Sequence, residues 1–116
     1  MAISVKDVRE LQAGPHMNVT IGYHIMDLVA PPWIYPDYSS DLLEARKVVD
    51  RMKSLGWTFR LVAFPTGGYW AFFEKKKFLQ APSDEIGDQI FNGAGDTEPL
   101  AIGRAALMTV AEGLRL

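Results

Sequence analysis

The spacing of apolar positions changes along the chain, and each change marks an element. Val5, Val8 and Leu11 recur at helical spacing behind Ser4-Val5-Lys6-Asp7, which carries the serine and acid of a capping box. Gly14-Pro15 ends this short helix. A second helix is expected over residues 18–26, with Met17, Ile21, Ile25 and Leu28 on one stripe. Its Thr20 and Gly22 are poor helix formers, so packing must hold it. Residues 27–38 break the pattern. Pro31, Pro32 and Pro36 alternate with Trp33, Tyr35 and Tyr38, which excludes a helix or a central strand and predicts an extended segment pinned by rings. Ser39 or Ser40 then caps a third helix reaching about residue 55. Its inner face is Leu42, Ala45, Val48, Val49, Met52 and Leu55; Glu44, Arg46, Lys47, Asp50, Arg51 and Lys53 form the wet face. Gly56 takes the position after the helix that favours a left-handed residue.

At Trp57 the period shortens to two. Trp57, Phe59, Leu61 and Ala63 alternate with Thr58, Arg60, Val62 and Phe64, a strand apolar on both faces toward its end. Pro65-Thr66-Gly67-Gly68 turns the chain, and residues 69–74 return as the second strand of a hairpin. Lys75-Lys76-Lys77 guards a sheet edge, and residues 78–81 are a candidate third strand. Residues 83–96, rich in glycine and acids, predict a surface loop partly anchored by Ile86, Ile90 and Phe91. Residues 95–116 predict a last helix. Asp96 or Thr97 caps it, Glu98 suits the positive end of its dipole, and Pro99 fits its first turn. Leu100, Ile102, Leu107, Met108, Val110, Ala111 and Leu114 cover most of its circumference, so it must be broadly buried, with Arg104 alone among them. These elements imply an α+β fold, a layered α/β/α sandwich with a small, mainly antiparallel sheet of two or three strands between helices. Residues 1–116 are expected to form one domain. A free edge in so small a sheet invites a second copy, so a homo-oligomer is expected.

Composition narrows the picture. A net charge of −2 argues against a phosphate-backbone binder, although one or two cations can still hold a small anion. Without cysteine there is no disulfide framework and no thiolate metal site, which suits a reducing compartment. No apolar run approaches the ~18 residues of a membrane span, and the first ten residues lack the apolar core of a signal peptide.

Three blocks of the sequence carry a resemblance. Leu11, Gly14, Met17, Asn18, Ile25 and Met26 form the first; Tyr38, Ser39 and Asp41 the second; Pro99, Leu100, Ala101, Ile102, Arg104, Ala105, Ala106 and Leu107 the third. In this order they resemble the phage ABA sandwich domain family. The chain departs from that pattern where Asp27-Leu28 replaces a Gly-Trp pair and where Gly103 stands at a position that is commonly cysteine. The resemblance implies a phage or prophage gene, action in the host cytoplasm and a helix–sheet–helix fold, with no settled activity.

Catalytic motifs are missing. His16 and His24 do not sit in a metal-ligand spacing, and Asp84, Glu85 and Asp88 do not match a calcium loop. No serine lies in a nucleophile elbow. Gly93-Ala94-Gly95 lacks a following lysine and is followed by Asp96, so it reads as a flexible lead-in to the last helix rather than a phosphate loop. Two features stand out. The rings cluster in residues 33–38 and 57–73, where Tyr38, Trp57, Tyr69 and Trp70 combine a flat face with a polar handle. They either pack the core and a subunit interface or stack on a base. Arg104 needs an anion or a path to water: either a structural pair with Asp41 or Asp50, snorkelling, or a clamp on a phosphate or carboxylate. Arg60, in mid-strand, has the same alternatives. With the phage context, these features predict an accessory protein that sequesters a small nucleotide-derived host immune signal without catalysis and without a cofactor. Tyr38, Arg60, Tyr69, Trp70 and Arg104 would hold the ligand, between subunits. The alternative is a module that inhibits or redirects a host protein; a nucleotide-cleaving enzyme fits least.

Overall fold

A computed structural model of the chain describes residues 3–29, 31, 34–76 and 88–111. Helix α1 (Val5–Glu10) begins at the expected capping box: the Asp7 amide donates to Ser4 Oγ at 3.0 Å, and the Ser4 amide to Asp7 Oδ2 at 3.3 Å. Helix α2 (Pro15–His24) starts earlier than periodicity suggests, because proline is preorganised for the first helical position. Helix α3 (Leu42–Ser54) is capped by Asp41, whose carboxylate accepts from the Leu43 amide at 2.9 Å. Neither Ser39 nor Ser40 takes that role, and Ser39 turns inward instead. Gly56 ends α3 with φ 99°, as expected of a left-handed position.

Strands β1 (Thr58–Ala63) and β2 (Tyr69–Lys76) form the expected antiparallel hairpin. The expected loop over 83–96 is corrected in its second half, where Asp88–Gly95 is strand β3, antiparallel to β2. The candidate strand at 78–81 lies outside the described residues. Helix α4 (Glu98–Met108), capped by Thr97, is shorter than the expected 95–116; Thr109 and Val110 follow it, their amides donating hydrogen bonds to the Ala106 and Leu107 carbonyls. Leu114 lies outside the described residues.

The glycines of β3 explain the misread loop. An added Cβ at Gly93 would run into the Ala105 amide nitrogen and the Arg104 backbone, and one at Gly95 into Leu100 and the Ala101 amide nitrogen. Helix α4 therefore lies directly on the β3 backbone, and side chains there would lift it off. Glycine serves here as a close-approach residue, which composition alone cannot distinguish from a turn signal.

The chain is α+β, with four helices and a three-stranded antiparallel sheet, order β1-β2-β3, among the described residues. One sheet face carries Phe59, Leu61 and Ala63 on β1, Tyr69, Ala71 and Phe73 on β2, and Phe91, Gly93 and Gly95 on β3. Ala71 and Phe73 are fully buried on this side, beneath α4. Helix α3 packs beside α4 and over β1, and α1 and α2 pack against α4, with Met17 and Ile21 seated where Gly103 has no side chain. Helix α4 is thus the hub, with buried residues on nearly every side.

Candidate binding surface

The other sheet face has no helix across it among the described residues. By register its rows are Thr58, Glu74 and Ile90; Arg60, Phe72 and Asn92; and Val62, Trp70 and Ala94. Trp70 is 36% exposed and Ile90 53%. The Trp70 ring lies 5.7 Å from Phe64 in a stacked arrangement and 4.8 Å from Phe72. The Arg60 guanidinium sits 4.8 Å above the Phe72 ring, a cation–π contact, and takes part in no ion pair among the described residues. The second apolar face expected of this sheet therefore becomes an open platform of rings with one free cation.

The five residues expected to hold a ligand do not converge. Arg60 and Trp70 share the open face. Tyr69 points to the helix-covered face and packs against the core. Tyr38 is 4% exposed and belongs to the core, where burial, with the Glu44 carboxylate nearby, raises its phenol above the usual 10.0.

Arg104 has neither Asp41 nor Asp50 as partner. Its Nε and Nη2 donate to the Leu11 carbonyl at 3.1 and 2.7 Å, and its Nη1 to the Ala94 carbonyl at 2.8 Å. The guanidinium thus ties the end of α1 to β3. Burial lowers its affinity for the proton, which the Asp96 charge partly offsets.

A second knot lies at the start of α3. The Ser39 amide and hydroxyl donate to Asn18 Oδ1 at 2.9 and 2.6 Å. The Gly14 amide donates to Ser39 Oγ at 2.9 Å, and Asn18 Nδ2 to Asp37 Oδ1 at 3.1 Å. Asn18 and Ser39 are both buried. The residues of the three sequence blocks therefore meet in space: Gly14, Asn18 and Ser39 in this knot, Leu11 with Arg104, and Met17 against α4. Their contacts are architectural.

The sequence reading missed one concavity. A groove of about 710 Å³ between α1 and α2 is lined by Ile3, Leu11, Val19 and Tyr23, with Asp7, Glu10, His16 and His24 on its walls. The only signal was the four-residue spacing of His16, Thr20 and His24 on α2; the opposite wall comes from α1. Burial lowers the His24 pKa below 6.5. The Asp7 and Glu10 carboxylates on its walls do not suit an anionic ligand. No group of three or more metal-ligating side chains able to hold an ion exists among the described residues, and no helix there is long and apolar enough to cross a membrane. No family model matches the chain, and no curated protein or solved structure matches it significantly.

Proposed function

We propose that the chain is a non-catalytic binding protein whose working surface is the open face of the sheet. Its ligand is a small nucleotide-derived anion, held with its base on the Trp70–Phe72 rings and its charge toward Arg60. The observation that supports this most is the exposed Arg60 guanidinium, in no ion pair among the described residues, beside the partly exposed Trp70 ring on the open sheet face, the pairing that stacking and charge recognition use. Tyr38 and Tyr69 are dropped from the ligand set, since they pack the core. The phage resemblance adds a setting in which sequestering a host immune signal needs binding alone.

A second reading shares the surface. Val62, Phe64 and Ile90 are exposed beside the rings, and such a face also suits a protein partner, whether a host protein or a second copy of the chain. A thermal-shift screen with cyclic nucleotides and ADP-ribose derivatives separates the two. A large saturable rise in melting temperature, lost in Arg60→Ala, supports sequestration. No shift with any nucleotide, together with a single host polypeptide that co-purifies with wild type and not with Trp70→Ala, supports the second.

A further inference from the structure

Along β3, on the side away from β2, lies a cleft of about 280 Å³. Arg9 of α1 and Arg104 of α4 line it with Asn92 and Ala94, over the apolar side chains of Val8 and Met108. Two cations and no acid line this cleft, in a chain whose net charge is −2. We propose that it binds a phosphate-class oxyanion, gripped between the Arg9 and Arg104 guanidinium groups.

Arg104 is held in place before any ligand arrives. Its three hydrogen bonds to the Leu11 and Ala94 carbonyls fix the plane of the fork. A guanidinium has five N–H groups, so one remains on each terminal nitrogen. Those two are neither neutralised nor consumed by the carbonyls, which leave the positive charge in place. Asp96 is the acid whose charge acts on Arg104, yet it forms no ion pair with it and does not line the cleft. Arg9 is exposed and takes part in no ion pair among the described residues, so it can swing over the cleft as a second donor. Partial burial strengthens a charge-assisted hydrogen bond to an oxyanion there. The volume falls just below the ~300 Å³ at which pockets for whole small molecules begin, which fits a phosphoryl group rather than a nucleoside.

Position links this cleft to the sheet platform. Asn92 lines the cleft and also ends the row Arg60–Phe72–Asn92 on the open face. A mononucleotide whose phosphate sits in this cleft would reach back over Asn92 toward the Trp70 and Phe72 rings, a second pose beside the one that turns the charge toward Arg60 on the opposite edge of the sheet. Only this link rests on the proposed function; the oxyanion site stands without it.

The test is isothermal titration at fixed ionic strength with inorganic phosphate, pyrophosphate and adenosine monophosphate. The proteins are wild type, Arg9→Ala, Arg9→Glu and Trp70→Ala. Pyrophosphate should bind wild type saturably, Arg9→Ala should weaken it by roughly tenfold, and Arg9→Glu should abolish it, with unfolding midpoints unchanged. Adenosine monophosphate should bind more tightly than phosphate, and Trp70→Ala should remove that margin while leaving phosphate binding intact. A mononucleotide no tighter than phosphate would keep the oxyanion site and overturn the link to the platform. No saturable binding of phosphate or pyrophosphate up to about 10 mM, or affinity indifferent to Arg9, would overturn the site itself.

Discussion

Ser39 shows how much one hydroxyl can organise. It donates to Asn18, accepts from Gly14, and lies fully buried between the entries to α2 and α3. Removing it takes the hydroxyl partner from the part-buried Gly14 amide and from Asn18 Oδ1, which is buried. Ser39→Ala should therefore destabilise the chain by about 1–3 kcal/mol, read from urea unfolding; a loss under a few tenths would mean the knot is idle. Tyr38 makes a separate prediction through pH. Its phenol titrates above 10.0 in the folded chain, so the unfolded chain ionises first as pH rises. The associated stability is present below pH 10 and is lost as pH climbs through the raised folded value. Tyr38→Phe should flatten this alkaline fall in stability between pH 9 and 11, and an unchanged slope would assign the fall to other groups.

Strand β3 is the element on which the close packing of α4 depends. Helix α4 approaches its backbone at Gly93 and Gly95, so side-chain volume there acts as overpacking with no neighbour free to yield. Gly93→Ala should cost about 1–3 kcal/mol and Gly93→Val more, measured by the shift in denaturation midpoint. A neutral Gly93→Val would mean that α4 does not sit where described. The same element shows why part of the fold was legible in the sequence and part was not. Helix α3 and the β1–β2 hairpin were legible because amphipathic period and turn residues agreed, although the cap of α3 is Asp41 rather than a serine. Strand β3 was not, because its inner face is written in glycine, whose meaning here depends on a helix that follows it in the chain. Helix α4 was recognised but drawn too long, since apolar residues continue past Met108 into the turn at Thr109 and Val110.

At the scale of the molecule, the helices that meet the sheet lie on one face and leave the other to a row of rings and Arg60. Arg60 and Trp70 were candidates by residue type, a mid-strand cation and a flat ring with a polar handle, and the strand register puts both on the open face. Tyr38 and Tyr69 carry the same residue-type signal, but residue type does not say which side of an element faces the core. Arg104 stands apart: its anchors are two backbone carbonyls, which no side-chain pattern could reveal. Because Arg60 and Trp70 sit on the open face, their loss should spare stability. Trp70→Ala and Arg60→Ala are each expected to unfold within about 1 kcal/mol of wild type.

A ligand platform on the open face should be visible in calorimetric titration of wild type beside Trp70→Ala and Arg60→Ala with cyclic nucleotides and ADP-ribose. Saturable binding to wild type, weakened at least about tenfold in both variants while both remain folded, is the result predicted. Nucleotide binding that neither substitution alters, or no binding by the wild type, would contradict it.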